Sequence, residues 1–148
     1  MTRVDFYILD GANMGDGQRT ACRIAEKAYK LGQKIFLHTT SVQSAAALDE
    51  YLWTFRDGSF VPHALVGSEA AADSAVIIGQ GQEPDPSHRD LLINLGDEVP
   101  LFFSRFERVA EIVAGDETTR GQARDRFRFY RDRGYPLNTH ELGQANAK

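Results

Sequence analysis

The sequence has one cysteine, Cys22, and one tryptophan, Trp53, among its 148 residues. A lone thiol closes no internal disulfide, and a metal site would have to be built from His and carboxylates alone, so a reducing compartment suits the chain. Long apolar runs are missing too. None approaches the roughly 20 residues of a spanning helix, and the opening MTRVDFYILDGANMGDG drops an Asp into what would be a signal peptide's apolar stretch. A cytoplasmic protein is expected. An excess of basic charge is also lacking: the net charge of -4 argues against non-specific binding to a phosphate backbone as the main activity.

What is present is a globular composition, 42% hydrophobic and 26% charged, in a length typical of one domain. Residues 3–9, RVDFYIL, read as a buried strand ending at the turn pair Asp10-Gly11. The following GANMGDG reads as a loop. Ala21, Ile24, Ala25, Ala28 and Leu31 recur at helical spacing, which predicts a helix over Gln18–Leu31 capped by Gly32. KIFLH predicts a second strand, and Ser41 an N-cap for a helix over VQSAAALDEYLWTF that ends near Asp57-Gly58.

SFVPHALVG reads as extended because of its Pro, and AVIIG and LLINL as further buried strands around the Gly/Pro-rich GQGQEPDP. PLFFSRF suggests a short helical turn. ERVAEIVAG fits strand or helix and is read as strand. Glu117–Arg133 is expected to be a long helix closed by Gly134. Strands alternating with helices imply a three-layer α/β sandwich, a mostly parallel central sheet with helices on both faces. One domain is expected over residues 1–139, with residues 140–148 as a tail whose order is left open.

Catalytic machinery is hard to find. The loop after the first strand has neither the spacing and Lys of a Walker loop nor the third Gly of a dinucleotide fingerprint, which leaves a nucleotide-binding enzyme as the weaker reading. His38, His63, His88 and His140 are scattered, so no metal and no cofactor is expected. Asp10 and Asp90 read as turn and edge carboxylates, and Cys22 as a small core residue.

Charge is segregated: Arg120–Arg133 holds six Arg and two Asp, +4, which leaves -8 for the rest. At 100° per residue Arg120, Arg124, Arg128 and Arg131 share a stripe, with Phe127 on its apolar border, whereas Arg126 and Arg133 lie far round the helix. Such a surface suits an acidic peptide with a free carboxylate and an apolar group; a direct single-stranded-DNA binder is the other reading, which the acidic remainder opposes. Trp53, Phe55 and Phe60 crowd a turn, where rings anchor interfaces or close the end of a core, and composition leans to core.

VDFYILD, LDEYLWTFRDGSFVPH, RDLLINL and QARDRFRFYRDRGYPLNTH, in this order and at these distances, resemble the chi subunit of bacterial DNA polymerase III. The resemblance covers nearly the whole chain, with loops 11–20 and 67–88 matching poorly. It implies a non-catalytic accessory subunit of the clamp loader. In that family the acidic C-terminal tail of single-stranded-DNA-binding protein docks on the last helix, at positions matching Val113, Arg120, Arg124, Phe127 and Arg128, with Arg131 on the same stripe. The psi subunit, or a helicase-like partner at the same surface, would contact Trp53, Phe60 and Val61. Phe127 stands where a family example has Tyr, and Arg120 and Arg128 where it has Lys. Charge and ring persist, a hydroxyl is lost, and Arg adds its fork geometry.

Overall fold

The computed structural model describes residues 1–9, 14–55, 58, 60–84 and 86–142. Seven strands and three α-helices form the fold: β1 Arg3–Leu9, α1 Met14–Lys30, β2 Ile35–His38, α2 Val42–Thr54, β3 His63–Leu65, β4 Val76–Gly79, β5 Leu91–Asn94, β6 Arg108–Val113, α3 Glu117–Asp132 and β7 Leu137–Leu142. Short 3-10 turns lie at Ala71–Asp73 and Phe103–Arg105, the second where PLFFSRF suggests one. The strands make one sheet in the order β3-β4-β2-β5-β6-β1-β7, and every pairing is parallel. This is the three-layer sandwich expected from the alternating pattern, with its sheet parallel throughout.

Central strands are apolar on both faces because helices cover both. On one side Cys22, Ala25, Leu48 and Leu52 of α1 and α2 pack on Leu9, Ile35, Leu37, Val76, Ile78, Ile93 and Ile112. On the other, Ala123 and Tyr130 of α3 pack with Val4, Phe6, Phe36, Ile77, Leu92, Val109 and Val113. Within the segment 107–115, Arg108–Val113 is strand, paired on both sides, to β5 and β1. Gly32 and Gly134 end α1 and α3 with φ of 81° and 79°, which only Gly adopts at no steric cost. Ser41 caps α2, its Oγ accepting from the Ser44 N–H at 3.0 Å.

Two boundaries differ from expectation. α1 starts at Met14, a full turn before Gln18, despite Gly15 and Gly17. Gly17 has a packing reason, since a Cβ there would stand 3.1 Å from the Cβ of Ala114, so the glycine lets α1 approach the end of β6. The segment read as beginning a tail at 140 is sheet through Leu142, with His140, Glu141 and Leu142 in register with Tyr7, Ile8 and Leu9. β7 is an edge strand exposed on both faces, so it carries no apolar alternation to betray it. Asp10, Gly11, Asp57 and residues 143–148 lie outside the described residues. No helix among those described is long and apolar enough to cross a membrane.

Candidate functional site

α3 begins at Asp116, whose carboxylate accepts from the Thr119 N–H at 3.0 Å; hydrogen bonds from Thr119 hold that carboxyl below its ordinary value. The helix lies on the sheet through Ala123, Arg126 and Tyr130 and turns its basic stripe outward. Arg124, Arg128 and Arg131 are exposed, their side chains at 59%, 53% and 58% of full accessibility. Each is met by a carboxylate of the same helix: Arg124 donates to Glu117 Oε1 at 2.6 Å, Arg128 to Asp125, and Arg131 to Asp132 at 3.2 Å. Arg120, half-buried, donates to the Leu9 carbonyl at the end of β1, 3.3 Å away. Phe127 is half-buried with its ring edge-on to Phe6, centroids 5.3 Å apart. Four guanidiniums therefore share a surface bordered by a fixed aromatic ring.

Val113 does not join them at the surface. It points from β6 into the core under α3 and is 3% exposed, so it supports the helix rather than offering contact. Val61 is likewise buried, at 1%, in the cluster beneath α1 and α2. Trp53 and Phe60, by contrast, are exposed at 51% and 62%, with ring centroids 5.8 Å apart. The composition-based leaning towards core is corrected for both: α2 buries Ala45, Leu48 and Leu52, and Trp53 follows one position round from that face. Trp53 rests on the buried His63 at 4.4 Å, whose ring nitrogens meet the carbonyls of Val61 and Asp49 at 2.6 and 2.9 Å. Phe55 packs against the core. α3, which carries the stripe, and α2, which carries Trp53, lie on opposite faces of the sheet.

Sequence reasoning missed the most connected polar feature. Glu111, fully buried on β6, accepts from Arg126 Nε at 2.9 Å, from Tyr130 Oη at 2.7 Å and from Asn94 Nδ2 at 3.1 Å. Asn94 Oδ1 in turn accepts from the Gly96 N–H at 2.9 Å and lies 3.0 Å from His38 Nδ1. The Gly81 N–H donates to His38 Nε2 at 3.0 Å, which places the imidazole proton on Nδ1. Burial lowers the His38 pKa, only partly countered by Asn94 and by Glu111, and burial followed by the Glu111 charge pushes the Tyr130 phenol up. The available signal was a lone Glu inside the apolar RVAEIV, matched by Arg and Tyr at i and i+4 on the inward side of α3.

His38 borders a cleft of about 410 Å³ at the carboxyl end of the sheet, lined also by Thr39, Thr40, Gly96, Asp97 and Phe102. Both its nitrogens are engaged inside the protein, which leaves it no lone pair with which to take a proton from a ligand. Cys22 is buried in the core with its thiol pKa pushed up to about 12 by desolvation, far from a nucleophilic thiolate. Among the described residues no group of three His, Cys, Asp or Glu is placed to hold a metal ion.

The fold resembles part of two longer chains: T4 UvsW, TM-score 0.66, and Saccharomyces cerevisiae dbp5 bound to gle1 and ip6, TM-score 0.65, each at 8% identity. The chain spans 42% of either, so this likeness concerns the fold alone. Sequence relatives match end to end. The DNA polymerase III subunit chi of Pseudomonas aeruginosa is 47% identical over 96% of this chain and 98% of its own length. That of Escherichia coli is 32% identical over 94% and 97%, and that of Haemophilus influenzae 32% over 93% and 96%. The family model for the DNA polymerase III chi subunit, HolC, matches residues 1–138. The chain belongs to the DNA polymerase III chi subunit family.

Proposed function

We propose that this chi subunit works as a cytoplasmic, non-catalytic adaptor of the clamp loader. It holds the acidic C-terminal tail of single-stranded-DNA-binding protein on α3, and the psi subunit, or another partner, on the Trp53–Phe60 pair. The carrying observation is the outward face of α3, where Arg120, Arg124, Arg128 and Arg131 stand beside the half-buried Phe127. A peptide carboxylate is recognised by two parallel N–H donors of one guanidinium, and an apolar terminal side chain finds the ring edge. Val113 contributes by holding α3 in place from below. The intrahelical carboxylates do not block the site, because exposed ion pairs of this kind are worth about 0–1 kcal/mol each and exchange readily. Two modest contacts on separate surfaces give a tether that can release one partner while keeping the other.

The test is titration of a fluorescent acidic peptide ending in Asp-Ile-Pro-Phe with a free carboxylate. The intact protein is expected to bind it and the Arg124→Ala, Arg128→Ala double variant to lose at least about tenfold in affinity, since charge-assisted hydrogen bonds contribute ~1.5–3 kcal/mol each. Equal binding by both proteins, or none by the intact protein at low salt, refutes the assignment.

A further inference from the structure

On the α1 side the sheet's edge pair, β1 and β7, is less covered than its centre: α1 packs mainly on β2, β5 and β6, and Leu9 of β1 joins the cluster beneath it. Arg3, Asp5 and Tyr7 of β1 alternate onto that open side with Arg108 of β6 and with Asn138 and His140 of β7. Its flat centre is a stack of Tyr7 on His140, ring centroids 4.8 Å apart and planes 15° from parallel. Between this stack and α1 runs a groove of about 200 Å³ lined by Tyr7, Thr20, Arg23, Ile24, Lys27 and Leu142.

The charges on this side are one-sided. Arg23 and Lys27, one turn apart on α1, carry no ion-pair partner among the described residues. Arg3 and Arg108 flank the rings from the opposite side; both reach Asp5, at 3.7 and 2.9 Å, and Arg108 also donates to the Tyr7 hydroxyl at 2.7 Å. The carboxylates, Asp5 and Glu26, are themselves buried and each faces a cation. With Lys30 set against Glu26, the other four cations against Asp5 leave a local +3 on a chain of net -4. The groove wall also holds the Thr20 hydroxyl, the one buried side-chain polar atom among the described residues without a hydrogen-bond partner.

We infer that this face, the Tyr7–His140 stack between the Arg23/Lys27 and Arg3/Arg108 cations, is a second binding surface and takes single-stranded nucleic acid. Cations on both flanks of a flat aromatic centre match a polymer whose anions recur along a backbone and whose rings project between them. A peptide tail with one terminal carboxylate has no use for such a succession. The Thr20 hydroxyl and the apolar Ile24 and Leu142 leave the groove able to take the edge of one unstacked base. The surface is separate from the α3 stripe, and the inference stands whether or not that stripe holds an acidic tail.

The experiment is fluorescence anisotropy of a labelled oligothymidylate, longer than the ~4–16 nucleotides one single-strand-binding fold engages, against the full chain. Weak binding is expected, with log K falling against log salt at a slope of about -2 for three neutralised phosphates. Arg23→Glu with Lys27→Glu, on the groove-facing side of α1, is expected to weaken it more than tenfold with an unchanged thermal midpoint. Tyr7→Leu should cost at least about fivefold by loss of stacking. Arg124→Ala with Arg128→Ala should leave oligonucleotide binding within twofold. No anisotropy change at low salt, or indifference to the α1 charge reversal, overturns the inference. So does a loss that follows the α3 variant, or a charge reversal that weakens the acidic peptide instead of the oligonucleotide.

Discussion

Replacing Arg126 by Met would keep most of the buried stem's volume while removing its guanidinium from a carboxylate that has nowhere to go. Arg126 is 4% exposed at its side chain and Glu111 not at all, so neither charge reaches water. After Arg126→Met, Glu111 keeps the Tyr130 hydroxyl and the Asn94 amide, and the Asp97 carbonyl loses its donor at 3.1 Å. Breaking a buried pair from one side costs about 3–5 kcal/mol, because an uncompensated charge stays behind. For a chain of this length, at about 3 °C per kcal/mol, the thermal midpoint should fall by roughly 9–15 °C. Adding Glu111→Gln removes the stranded charge while leaving an oxygen for Tyr130, so the double variant should be more stable than the sum of the single effects by at least about 1 kcal/mol. Urea unfolding followed by circular dichroism measures all three. A cost for Arg126→Met below about 1 kcal/mol, the range of an exposed pair, or strict additivity of the two substitutions, would refute the account of a dry, mutually dependent network.

Two further outcomes follow from protonation. His38 has its pKa lowered by burial, so its neutral form belongs to the fold and its charged form to the unfolded chain. Its contribution is complete above the ordinary value of about 6.5 and is lost as pH falls from there through the lowered folded value; His38→Gln should flatten that part of the urea-midpoint curve, and an unchanged slope would sink the assignment. Cys22, with its pKa pushed up to about 12 inside the core, should resist a disulfide reagent in the native protein and react at a free-thiol rate in denaturant; prompt native reaction would show the thiol to be accessible.

The sandwich was legible because its strands, such as VIIG and LLIN, are short apolar runs, and its helices α1, α2 and α3 carry clear caps at Gly32, Ser41 and Gly134. β7 was not, because LNTHEL at an open edge needs no apolar face and is ordered by backbone pairing to β1, which leaves no mark on side-chain type. On α3 the angular pattern placed the stripe correctly and set Arg126 off it, but periodicity says nothing about what an inward Arg meets. Glu111 lies fifteen positions earlier on another element, and only the fold brings the two to 2.9 Å. Depth was equally hidden for Val61, a buried side chain next to the exposed Phe60, and for Val113, which a strand buried on both faces turns under α3. Trp53 went the other way, because a ring at a helix end covers a core or stands clear of it according to one step of about 100°.

The two faces of α3 explain each other. A helix that must keep several guanidiniums at its surface has too little apolar area to anchor itself, and only Ala123, Phe127, Phe129 and Tyr130 are available to bury. The Arg126–Glu111–Tyr130 bonds supply a directional anchor that apolar packing does not, fixing the helix's rotation and with it the direction in which Arg124, two residues away, points. Arg126 is neutralised by Glu111 and adds little to the outward field. Arg124, Arg128 and Arg131 are only loosely neutralised by carboxylates exposed at 78%, 69% and 62%. Attraction for an approaching anion therefore resides in the charges whose present partners are weakest, and damage to the buried anchor should weaken the proposed binding on α3 even though its members lie beneath that surface.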